Sequence, residues 1–278
     1  WLRTLAAEQP LAFLDHHLRT GNSLVGSDIE EIEELESDAG GDGQNATLAD
    51  FGVARKGTIE QLMRIYQDFI AIENQDLADV KEMEAKYDEF ERNKLRQRLE
   101  AMANIHTAED FGLDTVPEDA YKRMVSALED DSKWSQIKRT SWFETSQKWA
   151  EEFDYFHWRL EFPEAFYSED GETNEDPGFD AVIGNPPYIR IHRIGHNQAD
   201  YLFDEFVTCA QKTDLSIPFL ELGTRLARDN GLAAYISTSQ WLSTDYGESV
   251  REYMSSGRIR RIVDFGTLPV FESISTYP

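Results

Sequence analysis

Apolar and polar positions along the chain fall into two textures that meet near residue 178. From Thr58 the apolar residues step by three and four: Ile59, Leu62, Tyr66 and Phe69, then Leu77, Val80, Met83, Tyr87 and Phe90, with Leu95, Leu99 and Met102 behind them. That spacing lays one apolar stripe along a helix, and it predicts a long helix or a helical hairpin broken near Asn74. Thr58 as N-cap, with Gln61 three residues on, would form a capping box. A second helical stretch, Asp131 to Glu152, carries Trp134, Trp142 and Trp149 at helical spacing, which suits core packing better than a base-stacking platform.

Ahead of these helices, Pro10 to Leu14 reads as a strand, with a turn at Thr20-Gly21-Asn22-Ser23-Leu24. Ser27 to Asp50 carries Glu30, Glu31, Glu33, Glu34 and Glu36, then Gly40-Gly41-Asp42-Gly43, and predicts a charged helix end running into a flexible loop. Ser168 to Gly178 (SEDGETNEDPG) has almost nothing apolar and reads as a solvated linker. Beyond it the pattern alternates. Phe179 to Gly184 predicts a short buried strand, Ile217 to Asp229 an amphipathic helix stopped by Asn230-Gly231, and Leu232 to Thr238 another strand. Tyr246 to Ser255 predicts a helix ended by Gly257, and Arg261 to Phe265 a third strand. Such alternation means an α/β fold with a mostly parallel sheet, which takes its ligands at the carboxyl ends of the strands. No internal repeat is visible.

Charge changes this picture in two steps. The 278 residues include 53 acids against 27 bases, a net charge of −26, and an excess of that size points away from a continuous nucleic-acid surface. Counted by region, however, residues 1–184 carry −24 and residues 185–278 only −2. The acidity lies in the helical and linker part, so the average says nothing against a DNA-facing segment in the second half. Eighteen of the bases are Arg and nine Lys, and high acid with little lysine fits a halophilic protein kept hydrated by surface carboxylates. The single cysteine, Cys209, excludes an internal disulfide or a Cys-rich zinc site and fits a cytoplasmic location. With no apolar run near 18 residues and a mean hydropathy of −0.55, no transmembrane helix is expected. Trp1 in place of Met reads as the start of a fragment.

The chemistry concentrates at Asn185-Pro186-Pro187-Tyr188, directly after the Phe179–Gly184 run. A chance NPPY in a chain of this length has a probability of about one in a thousand. Two successive prolines have fixed φ and no N–H, so the turn is stiff and offers carbonyl acceptors. Asn185 precedes a proline and is held extended, able to aim its side-chain oxygen the same way. The pair of acceptors faces a planar NH₂ group, and the Tyr188 ring can stack on a flat heterocycle.

These residues resemble the gamma-type N6-adenine DNA methyltransferases, and most closely the large type IIG restriction-modification and phage-defence methylases. Four further segments carry the likeness: Leu14 to Gly26 (LDHHLRTGNSLVG); Phe156 to Phe166 (FHWRLEFPEAF); Asn230 to Leu242 with Asp245-Tyr246-Gly247; and Val263-Asp264-Phe265-Gly266 with Pro269-Val270-Phe271-Glu272. The resemblance implies a partial Rossmann-like class I methyltransferase sheet with a large acidic helical insertion. Residues 1–26 would be a core segment, 27–155 the insertion and 156–278 the catalytic core. The implied cofactor is S-adenosylmethionine and the implied substrate double-stranded DNA with a flipped adenine, methylated at N6.

By the same resemblance Asn185, Pro186, Pro187 and Tyr188 are the catalytic residues, Tyr188 and Phe271 stack on the extruded base, and Asn22 contacts the cofactor. Arg190 and Arg193, just after the motif, are candidate phosphate contacts, against the alternative of two solvated loop arginines. The family's Gly-rich cofactor fingerprint would precede Trp1 and its recognition domain would follow Pro278, so the fragment alone is expected to be inactive; a restriction or specificity domain would share the full-length chain.

Other readings compete. His16-His17 and His192 with His196 lack a completing carboxylate or cysteine pattern, so no metal site is expected. Asp79 with Glu84 and Lys86 resembles a nuclease trio but sits in a helical stripe. An NPPY methyltransferase could instead modify a protein glutamine or an RNA guanine, or the fold could be an inactive interaction module.

Overall fold

The computed structural model describes residues 17–32, 48–72, 76–210, 212–266 and 268, which divide into two compact units, Trp1–Phe179 and Asp180–Pro278. The predicted strand at Pro10–Leu14, the glycine loop at 40–43 and Phe271 lie outside the described residues.

The first unit is helical. Helix α1 (Leu48–Ile70) and α2 (Leu77–Glu91) pack as the expected hairpin, with the break between Ile70 and Leu77. Their stripes meet in a ring cluster of Tyr66, Phe69, Tyr87 and Phe90, with centroids 5.8 to 6.3 Å apart. Such pairs contribute about 0.5–1.5 kcal/mol each beyond their buried area. Asp76 caps α2, accepting from the Ala78 and Asp79 amides at 2.7 and 3.0 Å, and Asn93 caps α3 (Lys94–Asp110). The capping box expected at Thr58 is not formed. Helix α1 starts ten residues earlier, and Thr58, buried mid-helix, turns its hydroxyl back to the Ala54 carbonyl at 2.8 Å. Good helix formers at Ala54, Arg55 and Lys56 continue the helix upstream of Thr58.

Helices α4 (Ala120–Val125), α5 (Asp131–Ile137) and α6 (Ser141–Phe153) complete this layer, so the Trp-rich stretch is two helices interrupted at residues 138–140. Trp134 and Phe143 meet edge-on at 6.1 Å, and Trp134 and Trp142 are buried. The FHWRLEFPEAF segment folds as two short helices, α7 (Trp158–Glu161) and α8 (Pro163–Phe166). Its rings surround Phe179, with Trp158, Phe162 and Phe166 at 5.9, 5.7 and 5.6 Å. Residues 20–27 run beside the same segment. The Asn22 amide donates to the Asp154 carbonyl at 2.6 Å and the Phe156 amide to the Val25 carbonyl at 2.7 Å. Residues 17–32 and 156–179 fall in the same compact unit as the helices. Segment 168–178, read as solvated linker, is tied down by backbone bonds, among them the Asn174 amide to the Phe166 carbonyl and the Gly178 amide to the Ala165 carbonyl.

The second unit holds two paired parallel strands, β1 (Phe179–Gly184) and β2 (Ala227–Tyr235), connected through α9 (His196–Glu205) and α10 (Ser216–Leu226). Helix α10 stops three residues before the expected Asp229, and β2 begins at once. Asn230 takes a left-handed φ of 62° inside the strand, so the Asn-Gly signal marks an irregularity in β2 rather than the helix end. Helix α11 (Glu248–Ser255) packs Val250 and Met254 on Ile217 and Trp241. Arg261 to Phe265, expected as a third strand, forms no strand and pairs with none among the described residues, and Ile262 and Val263 are 51% and 62% exposed. A strand without a neighbour has no ladder to join. The expected buried strand β1 is also open to solvent, with Ile183 83% exposed.

Candidate active site

Tyr235, the last residue of β2, fixes the end of β1. Its ring lies where side chains at Gly184 and Gly223 would stand: a Cβ at Gly184 would come within 2.5 Å of Tyr235 Cε1, and one at Gly223 within 2.4 Å of Cε2. Only glycine leaves that space on both β1 and α10. Burial pushes the Tyr235 phenol up to about 12, so it stays neutral. The next residue after Gly184 is Asn185, and the chain leaves the strand there.

The Asn185-Pro186-Pro187-Tyr188 turn follows with trans peptide bonds, with Pro186 buried, Asn185 and Pro187 exposed and Tyr188 half-buried. The Tyr188 hydroxyl stands 3.1 Å from Asn185 Oδ1 and 3.2 Å from the Ile236 carbonyl, one proton serving either acceptor. The Ile236 amide in turn donates to the Gly184 carbonyl at 3.3 Å. Partial burial raises the Tyr188 phenol above its usual range, with the Asp214 carboxylate adding to the effect.

Downstream, residues 189–191 run antiparallel to 213–215. The Leu215 amide donates to the Ile189 carbonyl at 2.8 Å and the Ile191 amide to the Thr213 carbonyl at 3.1 Å. Asp214, in that pairing, is buried and both its oxygens are hydrogen-bonded. Its Oδ1 accepts from the Ser216 amide at 2.9 Å and from the Ser216 hydroxyl, and its Oδ2 from the Thr238 hydroxyl at 2.9 Å. Asp214, Tyr235 and the Ile236 carbonyl were not singled out from sequence. Asp two residues ahead of Ser216 is a helix-start signal, masked by the reading that began the helix at Ile217.

Of the residues expected to act together, Asn185, Pro186, Pro187 and Tyr188 share this turn, and Arg190 and Arg193 are exposed just beyond it. Asn22 belongs to the helical unit, where its Oδ1 accepts from the Leu24 amide at 3.4 Å and closes its own turn. Phe271 falls outside the described residues. No group of three His, Cys, Asp or Glu among the described residues could hold a metal ion. Asp79 closes the α2 capping box, Lys86 pairs with Glu89 at 3.1 Å, and His192 and His196 are exposed. No helix among the described residues is long and apolar enough to cross a membrane.

What the turn can do is accept. Two oxygens, of Asn185 and Pro186, and one ring, of Tyr188, suit a flat molecule with an exocyclic amine. Among the described residues no cradle for S-adenosylmethionine is formed: no glycine-rich turn follows a strand there, and the Asn22 carboxamide oxygen already serves its own turn.

Comparison with known proteins gives a consistent family. Residues 55–271 match the Eco57I restriction-modification methylase family. The chain is 28% identical over 123 residues to the type II methyltransferase M.BstVI of Geobacillus stearothermophilus, covering 44% of this chain and 22% of that protein. It is 32% identical over 102 residues to M.XhoI of Xanthomonas vasicola, covering 36% and 19%, and 24% identical over 103 residues to the restriction enzyme and methyltransferase RM.Eco57I of Escherichia coli, covering 36% and 10%. The matches thus span about a fifth or less of these relatives' own length. No solved structure matches.

Proposed function

The chain belongs to the Eco57I restriction-modification methylase family, and from that membership we propose that it is the catalytic part of a site-specific DNA methyltransferase acting on adenine N6. S-adenosylmethionine is the implied donor, supplying an electrophilic methyl group on sulfur. The observation that carries the reading is the Asn185 carboxamide and the Tyr188 ring brought together at the carboxyl end of β1. An adenine turned out of the duplex would present its N6 amine to the Asn185 oxygen and the Pro186 carbonyl. Two accepted hydrogen bonds draw the amine away from the ring plane and free its lone pair, which in the base is delocalised and weakly nucleophilic. Tyr188 stacks on the base and offsets part of the few kcal/mol lost on unstacking. Arg190 and Arg193 suit phosphate contacts at the same turn, and Phe271 a second stacking face. Within this reading the sheet is the partial Rossmann-like class I sheet, and 27–155 the acidic insertion. The protein works in the cytoplasm beside a restriction or specificity domain.

Asn185→Ala in the full-length protein tests it. The variant should fold as wild type and lose tritium transfer from S-adenosylmethionine to unmethylated genomic DNA. Asn185→Ala at wild-type turnover sinks this mechanism, and methyl appearing on protein or RNA instead of DNA moves the substrate class.

A further inference from the structure

Resting on the methylase reading above, we propose that Asp214 is a positioning residue for the transfer step, a tether that holds Tyr188 against the base without touching it. Three segments frame Tyr188. Residues 189–191 continue its own strand of chain; 213–216 pair with them and start α10; and 236–238 leave β2 and offer the Ile236 carbonyl to the Tyr188 hydroxyl. Asp214 joins all three. Its backbone neighbours hold Ile189 and Ile191, its Oδ1 takes the Ser216 amide and hydroxyl, and its Oδ2 takes the Thr238 hydroxyl at 2.9 Å, two residues from Ile236. Asp214 is 8% exposed and both carboxylate oxygens already accept hydrogen bonds within the protein. Its place is structural support at the reacting turn.

Two acceptor atoms on one rigid side chain fix the distance between the start of α10 and the exit of β2. Without that link, residues 237–238 lose their hold on the start of α10 and can shift relative to 188–191, and misplacing reacting groups by about 1 Å costs on the order of a hundredfold in rate. The loss falls on kcat, because the link acts on where Tyr188 stands relative to the reacting amine. An amide can make the same link, its oxygen accepting from Ser216 and its NH₂ donating to the Thr238 hydroxyl. The tether is therefore one of geometry rather than of charge.

The test uses the full-length protein, tritiated S-adenosylmethionine and unmethylated genomic DNA. Asp214→Ala should lower kcat by about thirtyfold while the KM for S-adenosylmethionine stays within about twofold. Asp214→Asn should recover kcat to within about threefold of wild type. Thr238→Val, which removes one end of the link, should resemble Asp214→Ala, and the double variant should be no worse than either single one. Thr238→Val carries the test if Asp214→Ala fails to fold, as judged by circular dichroism and thermal midpoint. Wild-type kcat in Asp214→Ala or Thr238→Val overturns the proposal; so does Asp214→Asn falling as low as Asp214→Ala, or losses that multiply in the double variant. Asn185→Ala run in parallel separates the two levels. If it is inactive while Asp214→Ala is normal, only the tether fails; if it is fully active, the methylase reading of this turn fails with it.

Discussion

Single atoms decide the end of β1. The missing side chains of Gly184 and Gly223 are what let the Tyr235 ring lie between β1 and α10, and Asn185 inherits its position from that contact. Gly223→Ala would press a methyl group against Tyr235 at 2.4 Å, where the ring has a strand on its other side. Overpacking of this kind costs about 1–3 kcal/mol. Gly57, inside α1, has nothing within 4 Å of where its Cβ would be. There the same substitution should add about 0.5–1 kcal/mol, the difference in helix propensity. Urea unfolding of the two variants should therefore shift in opposite directions, and a Gly223→Ala midpoint at or above wild type would show that the ring is not confined.

At the scale of elements, buried imidazoles link the first described segment to α3 and to the approach to α7. His157 is enclosed between Ser27, whose amide donates to its Nδ1 at 3.1 Å, and Asn104 on α3, whose Oδ1 lies 2.8 Å from its Nε2. His106 Nδ1 sits 2.9 Å from the Ser27 hydroxyl and 3.5 Å from Asp110. Burial depresses both imidazoles to about 4, with Arg96 and His106 adding repulsion at His157. Both are therefore neutral in the fold, while the unfolded chain takes up protons near 6.5. Stability is fully present above about pH 6.5 and is lost on acidification toward 4, by about 1.4 kcal/mol per pH unit for each imidazole. Glu100, Glu109 and Glu164, raised by burial, act in the opposite sense at the acid end of that window. The urea midpoint of the helical unit should accordingly fall between pH 7.5 and 5.5, and His157→Gln should flatten the dependence; a midpoint equal at both pH values would contradict the neutral assignment.

The same scale shows what was legible in the chain. The α1–α2 stripe and the Phe179–Gly184 strand with its NPPY turn were readable because each rests on local spacing: three-and-four steps for the helices, and proline stiffness for the turn. What escaped reading depends on distant partners. Thr58 is the local exception: it carries a cap signal, yet the helix formers before it carry α1 through and its hydroxyl turns back to the Ala54 carbonyl. Arg261–Phe265 has a strand's composition and no neighbour among the described residues. Asp214 matters through Thr238, twenty-four residues away, a distance no short window covers.

Across the whole chain, charge and apolar exposure are separated. The first 184 residues hold nearly all of the −26, and their arginines and lysines are shared among many acids, Arg96 alone meeting Glu91, Glu100 and Glu161. Repulsion among the remaining carboxylates opposes folding and is screened over about 10 Å at 0.1 M salt and about 3 Å at 1 M. The thermal midpoint of the helical unit should rise steadily between about 0.1 and 1 M KCl. A flat response would mean that the acid excess is tolerated rather than adapted to brine. The second unit is built otherwise: near-neutral, with Ile183 and Leu232 on its two strands and Ile236 directly after them at 83%, 48% and 42% exposure. Among the described residues the outer edges of these two strands are unpaired, and unpaired ladder groups beside apolar side chains form a template for pairing with another strand. Excluded salts strengthen that tendency. One solvent variable thus pulls the two halves apart in behaviour: brine that quiets the acidic helices also salts out the sheet, and the best buffer for one unit is the worst for the other.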